Sequence, residues 1–231
     1  MGIEVKQNNI ENHGLQLGYN LYVMFVALSV ILIGLILIAN EIWWRLKNTH
    51  REHSRKIIHI LIGSFIAFWP LYMSWNWIRL ISVFFLIGVL ISKLLNIFSS
   101  IHEVERFTIG EISFALAVGV VTFITKSDWI YIASILQMSL ADGLAAIVGV
   151  HFGKNNKYKV FGSTKSIVGS ITFMIASFLI LFSVALAAKI HLALIAIFLI
   201  ALIATLIENI AVYGVDDLFI PLVFALILTR I

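Results

Sequence analysis

Residues Ala141 to Ser170 read ADGLAAIVGVHFGKNNKYKVFGSTKSIVGS. This stretch sets a carboxylate, Asp142, inside an apolar run, follows it with small residues, and passes through a basic loop into a second apolar run. Runs of this kind cross a bilayer as helix, for which roughly 20 apolar residues are needed. A carboxylate at membrane depth costs about 2.5–3.5 kcal/mol on insertion scales, so it marks a functional site by default. The loop beside it carries Lys154, Lys157, Lys159 and Lys165. A carboxylate next to lysines at a membrane face points to an enzyme that handles a polyphosphate.

The rest of the chain fits that setting. Of 231 residues, 61% are hydrophobic and 12% charged, and the mean hydropathy is +1.04. Soluble domains are about half apolar and about a quarter charged, so this is a polytopic membrane protein. The net charge of +4 is distributed as membrane loops, not as a nucleic-acid footprint, and no nucleic-acid partner is expected. With no cysteine, disulfides and thiolate metal sites are excluded. Met1 to Gly18 is polar without a basic n-region, so no cleaved signal peptide is expected. The predicted organisation is a polar tail over 1–20 and a single transmembrane catalytic domain over 21–231.

The expected fold is all-α, a membrane bundle of seven or eight transmembrane helices near 21–39, 57–74, 77–95, 108–125, 129–150, 166–188, 190–208 and 214–230. The last window is short enough to be tilted or re-entrant. Pro70 and Pro221 are the only prolines, so most of these helices should be unbroken. No internal repeat is visible, which argues against a transporter built on inverted repeats. In an eight-span arrangement eleven of the sixteen Lys and Arg residues fall beside odd-numbered loops. They are Arg45, Lys47, Arg51, Arg55, Lys56, Lys93, Arg106 and the four lysines of the basic loop. Lys6, Arg79, Lys126, Lys189 and Arg230 fall on the other side. The positive-inside rule then puts the odd loops in the cytoplasm and the N-terminus outside. Four polar clusters share that cytoplasmic face: Arg55–His59, Gly110–Glu111, Asp142–Lys165 and Glu208–Asp217.

Each cluster has a chemical and a structural reading. Ala145, Gly149 and Gly153 follow Asp142 at +3, +7 and +11, on one helical face. Such a face either packs a helix or admits a nucleotide to a carboxylate that holds Mg²⁺. Ser163, Thr164 and Ser166 around Lys165 suit a helix cap, and a helix start with a nearby lysine also attracts phosphate. Arg55, Lys56 and His59 form R-K-I-I-H at a span head, where Arg and Lys alone would be interface anchors and His59 sits about one turn into the apolar run. Glu111 opens a span, where the helix dipole already favours a carboxylate. Glu208, Asp216 and Asp217 lie in a loop without Lys or Arg, as solvated acids or as a second metal or hydroxyl site. His102, Glu103, Glu105 and Arg106 read as a solvated turn.

In order along the chain, R-K-x-x-H, G-E, D-x-x-A-x-x-x-G-x-x-x-G and K-S-x-x-G-S resemble the polyprenol kinase family, which includes dolichol, phytol and farnesol kinases and CTP-dependent diacylglycerol kinases. The resemblance covers roughly Arg55 to Pro221. It implies transfer of the γ-phosphoryl of a nucleoside triphosphate, usually CTP, with Mg²⁺ or Mn²⁺, to a lipid hydroxyl. Asp142 with Ala145, Gly149 and Gly153 matches the nucleotide motif, and Lys165, Ser166, Gly169 and Ser170 match K-S-x-x-G-S. Arg55 and Lys56 would neutralise charge, with Lys154 and Lys165 on the phosphates. Asp142, together with Glu208, Asp216 and Asp217, would supply metal ligands. Glu111, His59 or a C-terminal carboxylate would take the hydroxyl proton. Asp217 stands where the family carries Asn. Membrane lipids and a lipid alcohol are the implied partners.

Two other readings compete. Lipid cytidylyltransferases such as CDP-diacylglycerol synthases share the D-x-x-A-x-x-x-G-x-x-x-G stretch, but follow it with S-P-x-K-T-x-x-G, and no proline stands before Lys165 here. A transporter would use the buried acids as an ion path. The tail contacts of a lipid alcohol would be generic apolar side chains, so the sequence names neither the lipid nor the oligomeric state.

Overall fold

In a lipid-facing run every backbone polar group must be satisfied within the segment, and helices do this. The computed structural model describes residues 2–47, 51–95, 109–161, 163–211 and 214–230. Gly162 and the turn His102–Arg106 lie outside the described residues. Helices occupy all eight apolar windows. They are α1 (Gly2–Lys47), α2 (Arg51–Ala67), α3 (Trp75–Leu94), α4 (Gly110–Ile124), α5 (Asp128–Leu136), α6 (Asp142–Phe152), α7 (Ile167–Ala188), α8 (Leu194–Ile210) and α9 (Asp216–Leu228). A π turn, Gln137–Ala141, joins α5 to α6, and a short 3₁₀ turn, Trp69–Leu71, follows α2 around Pro70.

Among the described residues four helical stretches are long and apolar enough to cross a membrane: Asn20–Leu46, Trp75–Leu94, Asp128–Phe152 and Ile167–Ala188. Gly110–Ile124 and Leu194–Ile210 are apolar but shorter. A membrane helix bundle follows from these, with fewer full-length spans than the sequence windows suggest. Two local differences from the sequence reading matter. The polar segment expected as a tail is helical from Gly2 and continuous with the first apolar run. α2 starts at Arg51, so Arg55 and Lys56 lie inside a packed helix, 8% and 7% exposed, and are not interface anchors.

Among the described residues the all-α expectation has one exception. Lys157–Val160 (β1) and Ser163–Ser166 (β2) pair as an antiparallel hairpin, with Tyr158 opposite Lys165 and Lys159 opposite Thr164. K-Y-K-V alternates polar and apolar, which suits a two-faced strand: Lys157 and Lys159 are exposed while Tyr158 turns inward. Phe161, at the tip, takes φ 44°, the left-handed region that a tight hairpin turn requires.

Two apolar cores share the bundle. One, around Ile66, Trp69, Ile78 and Tyr131, ties α2, α3, α4 and α5 together. The other, around Phe173, Ile197, Ile220 and Phe224, ties α7, α8 and α9 to the π turn and α6. α2, the π turn and α9 meet between them.

The small-residue face of α6 is packed against the start of α7. A Cβ on Gly149 would stand 3.3 Å from Gly169 Cα, and one on Gly169 would stand 3.0 Å from the Ala145 carbonyl oxygen. A Cβ on Gly153 would come within 2.5 Å of Ser166 Cβ and overlap the backbone oxygen of Gly149. Gly153→Ala is therefore expected to lower stability by about 1–3 kcal/mol through overpacking. Thermal unfolding in detergent checks this, and an unchanged midpoint would show that α6 and α7 separate freely.

Candidate active site

α2 and α6 are brought side by side, and the contact is ionic. Lys56 Nζ donates to Asp142 Oδ2 at 2.5 Å, with side chains 8% and 5% exposed. The sequence reading set Lys165 beside Asp142 because the two are close along the chain. The lysine bonded to Asp142 comes instead from 86 positions upstream. A buried pair of this kind is held by mutual attraction against a desolvation penalty of several kcal/mol per ion, so a change that leaves one charge uncompensated is costly.

One turn on from Arg55, His59 completes the α2 contribution. Its Nε2 lies 3.0 Å from the Met138 carbonyl oxygen, which only accepts, so Nε2 carries the proton. Met138 belongs to the π turn, a helix irregularity that often marks functional positions. The same Nε2 lies 3.3 Å from Asp217 Oδ1 on α9. Ligating atoms of His59, Asp142 and Asp217 all fall within 4.8 Å of one another. Asp216, Arg55 and Glu111 are close enough to act electrostatically on this group. When all are ionised, the carboxylates of Glu111, Asp142, Glu208, Asp216 and Asp217 outnumber the cations that act on them, Arg55, Lys56 and Lys165, which leaves a net negative charge.

That excess suits a divalent cation, and so do the donors. Mg²⁺ takes hard oxygen ligands. Asp216 Oδ1 is buried without a hydrogen-bond partner among the described residues, and Asp217 Oδ1 is buried with His59 Nε2 at 3.3 Å but no formed hydrogen bond, an arrangement that a cation or water would relieve. Asp142, Asp216 and Asp217 thus fit the ion. Glu208, also expected among the ligands, is paired through its Oε1 with Lys165 Nζ at 2.6 Å. The same ammonium also donates to the Glu208 backbone oxygen.

The Lys165–Glu208 pair anchors a second polar group where the hairpin, α7 and α8 meet. Ser166 caps α7, accepting from Gly169 N–H at 3.1 Å, as its place before the apolar run predicts. Its hydroxyl also donates to the Gly149 carbonyl at 3.4 Å. Ser170 Oγ donates to Asn209 Oδ1 at 2.8 Å. The Tyr158 hydroxyl bonds Asn209 Oδ1 and lies 2.6 Å from Ser170 Oγ. Sequence reasoning assigned Tyr158 nothing; the one signal was an apolar ring set between lysines in K-Y-K-V. Lys154, Lys157 and Lys159 are exposed beside this group. Ala145, Gly149, Gly153 and Gly169 serve the α6–α7 contact, and the face read as open to a nucleotide is filled by α7.

Glu111 opens α4, and its Oε1 is buried without a hydrogen-bond partner among the described residues. Phe114, one turn further, stacks edge-on against His59 with ring centres 4.9 Å apart. All four polar clusters of the sequence therefore gather at one end of the bundle.

No model of a known protein family matches the chain, and no solved structure matches it. Among curated proteins it is similar to a phytol kinase from Synechocystis sp., with 32% identity over 209 residues that cover 87% of this chain and 89% of the relative.

Proposed function

Because the chain belongs to the polyprenol kinase family, into which the phytol kinase falls, we propose that it is a membrane lipid-alcohol kinase with phytol or a related prenol as acceptor. The donor in this reading is a nucleoside triphosphate, with CTP favoured because the motifs resemble a CTP-using family. The active site faces the cytoplasm, which the distribution of Lys and Arg supports. The observation that carries the reading is the buried group of Lys56, Asp142, Asp216, Asp217 and His59 at one end of an apolar bundle.

Phosphoryl transfer asks a protein mainly for positioning and charge neutralisation. The acceptor hydroxyl oxygen attacks the γ-phosphorus, the bond to the β-phosphate oxygen breaks, and the nucleoside diphosphate leaves. Glu111 accepts the hydroxyl proton. Asp142, Asp216 and Asp217 would hold Mg²⁺, which when bound would neutralise charge on the phosphate oxygens. Arg55 and Lys56 place positive charge beside those oxygens, and Lys165 does so from the hairpin side. The overall reaction yields a lipid monophosphate and a nucleoside diphosphate.

Parallel assays with CTP labelled at the γ- or the α-phosphate test this, each with lipid alcohols and phosphatidic acid. Label from the γ position on an alcohol is expected. Label from the α position on phosphatidic acid would make the protein a cytidylyltransferase. ATP and UTP in further tubes test the choice of CTP.

The metal assignment makes its own prediction. Asp217→Asn keeps the side-chain volume and one oxygen but removes a charge. It is expected to raise the Mg²⁺ concentration for half-maximal rate about 10–100-fold while leaving much of the rate at saturating metal. A magnesium titration reads this, and an unshifted curve would remove Asp217 from the ligand set.

A further inference from the structure

α1 leans on α2 and barely touches α3, and between them lies a cleft of about 330 Å³. Apolar side chains line most of it, among them Val30 and Leu37 of α1 and Phe85 and Val89 of α3. The polar lining differs: Arg55 and His59 of α2, Ser92 in the last turn of α3 and Glu111 in the first turn of α4. His59 also faces Asp217, so the cleft is continuous with the acidic group through a single side chain. Ile31 and Leu35 on α1 and Phe84, Ile87 and Ile91 on α3, on the same two helices, are exposed apolar side chains, and both helices are long and apolar enough to cross a membrane.

We propose that this cleft is the acceptor site: the isoprenoid tail lies between α1 and α3, and the hydroxyl lies at Glu111 and His59. The inference rests on the kinase reading for its occupant, and it adds where that occupant binds and what selects it. An amphiphile with a long apolar body and a single polar end matches the lining, mostly apolar and charged only at Arg55 and Glu111. An opening toward lipid lets a tail enter sideways without leaving the hydrocarbon, and lets a longer tail extend beyond the protein. α1, which carries none of the motifs, becomes a specificity element.

Two glycines make the proposal testable. Gly34 on α1 and Gly88 on α3 both line the cleft, and a Cβ on either meets nothing within 4 Å. A side chain there starts into the space meant for the tail, with its Cβ clear of protein atoms. Gly34→Leu and Gly88→Leu are expected to fold with wild-type unfolding midpoints. They should raise KM for farnesol, geranylgeraniol and phytol by about tenfold or more, with a smaller change for a single-isoprene alcohol. A diazirine-bearing prenol, photolysed without nucleotide, is expected to label residues 30–37 of α1 and 85–89 of α3.

Labelling confined to other helices, or unchanged KM values in both variants, would overturn the cleft assignment while the kinase reading stands. A wild-type protein that phosphorylates no alcohol with any nucleotide would overturn the kinase reading, and the photolabel alone would then decide whether the cleft takes an isoprenoid.

Discussion

Asp142→Asn is expected to fold with nearly wild-type stability and to lose transfer by about 1,000-fold, the scale associated with removing a preorganised electrostatic group. The two partners of the buried pair should behave unequally. Without its charge Asp142 still offers an amide oxygen to Lys56, and the ammonium keeps Asp216 and Asp217 as neighbours. Lys56→Met instead strands Asp142 among further carboxylates, and breaking a buried pair in this way costs about 3–5 kcal/mol. The double variant Lys56→Met/Asp142→Asn removes both charges. It should regain most of the stability lost by Lys56→Met and none of the activity. Unfolding midpoints in detergent and initial transfer rates on the same preparations check the pattern. An active Asp142→Asn would sink the catalytic role, and an active double variant would reduce the pair to a structural contact.

The buried group around the Lys56–Asp142 pair is built from three distant segments. Arg55, Lys56 and His59 come from α2, Asp142 from the turn of helix after the π turn, and Asp216 and Asp217 from the start of α9. The π turn inserts an extra residue, and Asp142 N–H bonds back to the Gln137 oxygen. It also places the Met138 carbonyl where His59 donates to it. That bond fixes which imidazole nitrogen carries the proton, and so withholds Nε2 from any proton-accepting role.

Helix positions were legible because each apolar window is long and its period is that of a buried or lipid-facing helix. Which ionisable residues the fold gathers at one end of the bundle was legible too, since such residues in an apolar chain stand out singly. Partner choice was not. Lys165 lies nearer Asp142 in sequence than Lys56 does, yet the hairpin carries it to Glu208, and sequence spacing does not encode a fold-back of that kind. The hairpin itself escaped because four-residue strands flanked by Asn, Gly and Ser look like any basic loop. Nor did Gly34 and Gly88 announce a cleft: a glycine on a membrane helix reads the same whether it admits a neighbouring helix, as Gly149 does, or faces open space.

Glu111→Gln is expected to lower kcat by about 10²–10⁴-fold, the range for loss of a general base, with little change in KM for the acceptor. The sequence leaves three candidates for the hydroxyl proton: Glu111, His59 and a carboxylate near the C-terminus. His59 Nε2 already holds a proton and donates it to a carbonyl. Glu208 is bonded to Lys165, and Asp216 with Asp217 suits the metal. Glu111 remains, with a buried oxygen that meets no donor among the described residues and a place on the wall of the apolar cleft. The amide of Gln fills the same volume and hydrogen-bonds a hydroxyl but accepts no proton, so binding should persist while turnover falls. His59→Gln is the comparator: it is expected to disturb the Met138 contact and lower kcat less than Glu111→Gln does. If His59→Gln proves the more damaging of the two, the proton leaves by the imidazole's other nitrogen and Glu111 only orients the acceptor.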